Sequence, residues 1–480
     1  MRRLALALAL AAPLAARAGL PPRYGGVLEV AVPDFPAELD PARISGYSEL
    51  EAARALHATL VEVGPGGALR PGLLAALPEA EPGGRAYRLS LRPGLRFHDG
   101  RPVTAAEVAA SLSRLLAPGS RSLHGWIALP ISGADEVREG RAATLSGVQV
   151  TGELELRVAL DAPFPEFPRA LAALPAAVVP RGAPPGAGAG PYRLASRDAE
   201  ALRLVAFDGY FRGRAYADAL SLAGLDARRT ARGFARGELE LALRPEAVPG
   251  AAVRELPAST ATYAVVNARR LGPLAQEVRR VLSSLSRTEL AHLAARGHST
   301  PLASLLPPPL APATAAAPGK APGRVAGNPK VVLLVASGSD GNRALADRLQ
   351  VKLFDHGVRV AVEAVAPAAL RARLASGGYD AALVSLTFTS SAAEPAILEA
   401  AWVLGGAAAA RRALVRLGNA DAATAAQDVA DDLGVVPLFA AGLRASRQGE
   451  VAGLEVLPDG TVDPGDLWLG SRRLSPERPR

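Results

Sequence analysis

Cysteine is absent from all 480 residues of this chain. That excludes disulfides, thiol catalysis, cysteine-ligated metals and lipid attachment through a lipobox cysteine. Aromatic residues are scarce too, 4% of the chain against 49% apolar residues in all, so alanine, leucine and valine must build the interior. No apolar run reaches the roughly 20 residues needed to span a bilayer. Basic runs are equally short: nothing exceeds the pairs Arg228-Arg229, Arg269-Arg270 and Arg279-Arg280, with few aromatics between them. The formal charge of +8 is therefore spread among acidic residues, and nucleic acid is not expected as a partner. A serine-centred nucleophile elbow and a carboxylate-pair motif are also missing, so no catalytic residues are assigned.

The length calls for two or three compact units rather than one core. Glycine and proline, 48 and 41 residues, imply many turns and loops. The N-terminus reads Met1-Arg2-Arg3, then the apolar stretch Leu4 to Ala16, then Arg17-Ala18-Gly19. Two positive charges, a short apolar run and small residues flanking Arg17 predict a cleaved secretory signal peptide over residues 1–18. Loss of its three arginines leaves the mature chain at about +5.

The most informative stretch is Tyr87 to Leu116, YRLSLRPGLRFHDGRPVTAAEVAASLSRLL. Tyr87 to Leu91 alternates as a strand, Arg92-Pro93-Gly94 turns the chain, and Asp99-Gly100 is a strong turn dipeptide. Thr104 and Glu107 have the spacing of a capping box, and Val103 and Val108 that of a hydrophobic staple. Val108, Leu112, Leu115 and Leu116 form one helical face, which Pro118-Gly119 ends. His98-Asp99 is read as part of the hairpin turn with an exposed histidine, not as a catalytic dyad, since neighbours in a strand point to opposite faces.

This segment resembles the signature of the family 5 solute-binding proteins, the extracytoplasmic receptors of bacterial ABC importers for peptides, nickel and some glycans. Leu91, Arg92, Gly94, Phe97, Asp99, Gly100, Pro102, Thr104, Ala105, Glu107 and Val108 meet that pattern. Further along, Gly188-Ala189-Gly190-Pro191-Tyr192 resembles the family's Gly-Thr-Gly-Pro-Tyr landmark, and Tyr263-Ala264-Val265-Val266-Asn267 its Tyr-x-x-x-Asn strand. The likeness runs from Gly25 to Leu469 and is eroded between Leu310 and Leu433. There the family's helix after the Pro301 to Pro309 loop is replaced by alanine, proline and glycine, which predicts an extended or poorly ordered connector over residues 307–329. Val331 to Val335, Asn342 to His356 and Val358 to Val365 read as a β-α-β unit. Ser337 to Gly341 lacks the spacing and lysine of a phosphate loop.

The resemblance implies an α/β, two-lobe periplasmic-binding-protein-like fold of type II, in its large peptide-binding class, with an extra subdomain in the first lobe. Lobe I would comprise residues 19–45, 166–245 and 436–475, the extra subdomain 46–165, and lobe II 246–435. The implied function is a monomeric receptor that delivers a peptide or peptide-like solute to an inner-membrane ABC permease. It would act without cofactor or catalysis. Because no lipid anchor is available, the periplasm of a double-membraned bacterium is the expected location. A degenerate, ligand-free paralogue acting as a scaffold or sensor partner is the alternative.

Alignment with the family points to four sets of ligand-binding positions: Asp34 and Phe35 after the first strand; His124 to Trp126; Leu243 and Arg244; and the strand end Leu383, Ser385, Leu386, Thr387, Phe388 and Thr389. Peptide-binding relatives place an arginine, a tryptophan and an aspartate along the last set, the aspartate neutralising the peptide's amino terminus. Here those positions hold Leu383, Leu386 and Thr389. A buried ammonium needs a carboxylate partner, so an uncharged or less charged ligand is expected. The six histidines show no metal-ligand spacing, and no metal site is expected.

Overall fold

The computed structural model describes residues 22–294, 299–308, 310–311, 323–338 and 340–470. The expected signal peptide and the middle of the connector lie outside those residues. Leu310 and Ala311 pack against the main core. Past the gap, Val325 donates to the His356 carbonyl and Arg359 to that of Pro329, each at 2.8 Å, so the connector's end is pinned to the following β-α-β unit.

Two large sheets organise the molecule. The first has seven strands in the order Ala252–Glu255, Arg444–Arg447, Leu241–Arg244, Val27–Val32, Ala219–Gly224, Ala201–Ala206, Tyr192–Arg197. Val27–Val32 runs parallel to both of its neighbours, and the other pairs are antiparallel. Parallel central strands are buried on both faces, which fits the near-continuous apolar sequence Val27 to Val32. The second sheet has six strands: Ser299–Pro301, Val435–Ala441, Thr260–Val266, Ala381–Thr387, Lys330–Ala336, Arg359–Val365. Lys330–Ala336 and Arg359–Val365 are parallel, joined by helix Asp340–Asp355 as the β-α-β pattern predicts.

The chain crosses between the sheets at residues 256–259 and again at 442–443, where the Leu256 amide donates to the Leu443 carbonyl at 2.9 Å. These crossovers differ from the divisions drawn at 245/246 and 435/436. Ala252–Glu255 pairs into the first sheet as an exposed edge strand, too short and polar to read as one, and Val435–Ala441 pairs into the second.

A four-stranded antiparallel sheet, Glu79–Ala80, Ala86–Ser90, Glu155–Ala159 and Val148–Val150, carries the signature segment. Helix Ala105–Arg114 begins as expected, with the Glu107 amide donating to Thr104 Oγ1 at 3.4 Å, and Val103 and Val108 are buried. The capping box closes on one side only, because the Glu107 carboxylate accepts from the Arg181 amide and guanidinium instead. His98 departs from the expected exposed histidine. Its Nδ1 accepts from the Gly188 amide at 3.2 Å and its Nε2 donates to the Gly190 carbonyl at 3.1 Å, with the ring edge-on to Phe207. One neutral imidazole thereby ties the hairpin to the glycine-rich landmark. Burial lowers its pKa accordingly.

The largest apolar core runs without a break from Phe97 of the signature segment and from Trp126 and Phe167 beyond it into Tyr263, Phe388 and Ile397 of the second sheet and its helix. Separate cores lie on the other face of the second sheet, around Val278, Leu345 and Leu349, and under the first sheet, around Leu28, Tyr192 and Leu222.

Candidate functional site

Strand Ala381–Thr387 ends at a short loop, Phe388 to Ala392, before helix Ala393–Leu417 begins. Alanine at the N-cap cannot satisfy the loop's polar groups. Glu399, fully buried one turn and more into the helix, does so instead. Its carboxylate accepts from the Thr389 amide at 3.1 Å, the Thr389 hydroxyl at 2.7 Å, the Ser390 amide at 3.3 Å and the Ser390 hydroxyl at 2.8 Å. Burial raises its pKa to about 7 despite those four donors.

His124 approaches this carboxyl group from the subdomain, with Nδ1 at 3.7 Å from Glu399 Oε1. Its Nε2 donates to the Ile44 carbonyl at 2.8 Å, which fixes the neutral tautomer, and burial lowers its pKa to about 4. Next to it, a Cβ on Gly125 would collide with the ring of Trp402. Trp126 is fully buried in the common core, and among the described residues its Nε1 has no hydrogen-bond partner. Two ion pairs extend the seam: Arg411 reaches Asp135 at 2.9 Å and Asp161 at 3.1 Å.

Above this floor lies a cleft of about 500 Å³, within the size range of small-molecule sites. One wall is the segment Leu115 to His124; the other combines helix Pro367–Ser376, the end of strand Ala381–Thr387, and helix Ala393–Leu417 around Trp402 and Gly406. Gly406 breaks that helix with a φ of 73°, a backbone only glycine adopts freely. Leu383, Ser385, Leu386, Thr387 and His124 line the cleft. Phe388, Thr389 and Trp126 lie beneath it in buried positions.

The remaining sequence-derived positions fall elsewhere. Asp34 and Phe35 follow the carboxyl end of strand Val27–Val32; Asp34 is exposed, and Phe35 is covered by the Arg197 guanidinium, 5.2 Å from its ring centre. Leu243 is buried in the first sheet's core. The Arg244 guanidinium donates to the Val32 and Leu225 carbonyls and lies 3.7 Å from Glu246, so it ties together the carboxyl ends of the three parallel strands. None of these four lines the cleft.

Sequence reasoning missed Glu399, Trp402, Arg371 and the wall Leu115 to Leu123. A signal existed for Glu399: it is the one charge in the apolar run Pro395 to Gly406. Metal-ligating geometry occurs once among the described residues, at Glu455, Asp463 and Asp466. Arg212 pairs with Asp463 at 2.9 Å and Asp466 at 3.2 Å, so two of these three carboxylates already have a cationic partner within the chain.

Comparison with known proteins decides the family. The model for bacterial extracellular solute-binding proteins, family 5 (middle), matches residues 68–400, which include the signature segment and most of the cleft lining, from Leu115 to Thr387. The chain belongs to this family. The periplasmic murein peptide-binding protein MppA of Escherichia coli is 32% identical over 139 residues, covering 28% of this chain and 26% of that protein. This chain thus matches only about a quarter of that curated relative's length. The solved structure of the same protein superposes with a TM-score of 0.75 at 19% identity, covering 92% of this chain and 98% of that one. A Haemophilus influenzae OppA complex with the peptide RPPGFSPFR gives 0.75 at 18% identity, covering 93% and 99%. The fold is therefore that of the two-lobe periplasmic peptide-binding proteins. Among the described residues no helix is long and apolar enough to cross a membrane.

Proposed function

We propose that this chain is a periplasmic substrate-binding receptor, monomeric and without catalytic activity, that carries a small peptide or peptide-like solute to an ABC import permease. Family membership supports the transport role, and the relatives named above are binding proteins for peptides. The observation that carries the reading is the 500 Å³ cleft, where the strand end Leu383 to Thr387 and His124, distant in sequence, face one another. Ligand would bind there more tightly in a closed than in an open arrangement of the lobes, and that difference in affinity drives closure. The paired crossovers at 256–259 and 442–443 are the proposed hinge.

The lining holds no aspartate or glutamate, so a peptide's free ammonium would enter without a partner, at a cost of several kcal/mol. The solute is accordingly one that lacks that charge. Native mass spectrometry of protein purified from its own periplasm tests the proposal: a co-purified small molecule is the expected result. An empty protein that also shows no compaction by X-ray scattering with any periplasmic extract would favour the scaffold alternative.

A further inference from the structure

The charged side chains that line the cleft are all basic. Arg121, Arg138 and Arg371 line it, with no carboxylate among the lining residues. Arg138 is occupied by Asp135 at 3.3 Å and Glu139 at 2.8 Å. Arg371 differs: it is half-buried on helix Pro367–Ser376, and among the described residues it has neither an ion pair nor a hydrogen bond. Glu49 exerts some attraction on it, but that carboxylate is already taken by the Ser45 amide at 2.7 Å, the Ser45 hydroxyl at 3.2 Å and the Glu38 amide at 3.3 Å. The Arg371 guanidinium is not among the buried groups left without a partner, so it remains open to solvent and free to meet an incoming anion, while the burial of the side chain depresses its pKa. Around it the walls are apolar, formed by Leu115, Leu116, Leu370, Leu374, Leu386 and Val403.

We propose that the cleft takes an apolar ligand bearing a single carboxylate and no ammonium, with Arg371 as the partner of that carboxylate. A guanidinium binds a carboxylate through two parallel charge-assisted hydrogen bonds, which fixes orientation as well as sign. The leucine-rich walls receive the remainder of the molecule. A cation in the same place meets three lining arginines and no lining carboxylate, and Asp135 and Glu139 are already paired with Arg138. Two sources share this chemistry: a short peptide blocked at its amino terminus, and a non-peptide amphipathic acid. The proposal rests on the cleft being the solute site, and it names the class of solute.

Titration calorimetry on the full mature protein, freed of bound ligand by dialysis, separates the possibilities with four probes. These are N-acetyl-Leu-Leu, its carboxamide, unblocked Leu-Leu, and decanoate. At least one of the two blocked or non-peptide acids is expected to bind tenfold or more tightly than both the carboxamide and unblocked Leu-Leu. Preference for N-acetyl-Leu-Leu assigns a peptide source, and preference for decanoate a non-peptide one. Arg371→Gln is expected to weaken the preferred acid at least tenfold while leaving its melting temperature within a degree or two of the parent.

Equal binding of acid and carboxamide, tighter binding of unblocked Leu-Leu, indifference to Arg371→Gln, or no binding of either acid at millimolar concentration would each overturn the proposal. A cleft-filling variant, Ala407→Trp, distinguishes the underlying reading. If it abolishes binding of unblocked Leu-Leu, the cleft remains the solute site and only the anion preference fails. Should any probe bind it unchanged, the cleft itself is not the site.

Discussion

Two parts of this molecule use the same plan, strand then loop then helix, and secure it by opposite means. In the signature segment, strand Ala86–Ser90 leads through a hairpin to helix Ala105–Arg114, and the helix start is capped by Thr104 next to it in sequence. In the cleft wall, strand Ala381–Thr387 leads to helix Ala393–Leu417, whose N-cap is an alanine; Glu399, nine and ten residues from its partners, reaches back to hold the loop. The first arrangement is local and exposed at its turn. The second buries a carboxyl group against a histidine from another part of the chain. The first helix start is secured by its own neighbours, whereas the cleft wall's loop is secured only in the assembled protein.

Substitution at Glu399 gives the largest expected effect. Glu399→Leu leaves the Thr389 and Ser390 donors buried without an acceptor and is expected to cost about 3–5 kcal/mol, read from urea unfolding. Glu399→Gln keeps an acceptor and should cost less than half as much. Comparable losses for the two variants would show that the four hydrogen bonds do not hold the wall. Gly125→Ala comes next, since its new methyl group must displace the Trp402 ring; about 1–3 kcal/mol is expected, with a change in tryptophan fluorescence that Thr104→Ala should not produce.

His124→Asn tests the pH dependence of the same seam. A buried histidine with its pKa lowered from 6.5 to about 4 binds more protons unfolded than folded between those values. Its contribution is therefore present above pH 6.5 and lost as pH falls towards 4. Glu399, raised from 4.5 to about 7, binds more protons when folded, so its effect has the opposite sign: stability falls as pH rises from 4.5 to 7. In the parent the two slopes oppose each other. Removing His124 should uncover the falling one, and the stability difference between parent and His124→Asn should grow with pH across this window by up to about 1 kcal/mol per pH unit. Unfolding curves at several pH values check this; a constant difference would mean the histidine is charged in the folded state. Thr104→Ala is the smallest change, about 1 kcal/mol for loss of one cap, and should leave ligand affinity unaltered in calorimetry.

Local chemistry explains what could be read in advance. The Asp99-Gly100 turn, the Thr104 cap and the buried Val103 and Val108 are set by neighbours a few residues apart, and the β-α-β unit from Lys330 to Val365 by two successive strands joined through a single helix. His98 could be placed on its hairpin, but not at its contacts with Gly188 and Gly190, ninety residues away. The same limit separates the candidate site residues. Leu383, Ser385, Leu386, Thr387 and His124 share the cleft, while Asp34, Phe35, Leu243 and Arg244 lie at or near the ends of the first sheet's parallel strands.

From its residues alone, then, this chain determined its family and the elements that are closed by short-range hydrogen bonds: turns, caps and the alternation that buries one face of a strand. Tertiary structure decided the rest. The cleft exists only because helix Ala393–Leu417 packs against the signature region through one continuous apolar core, a contact between segments hundreds of residues apart that no local pattern encodes. The unpaired state of Arg371 likewise depends on which carboxylates folding brings near it, and folding has committed Glu49 elsewhere.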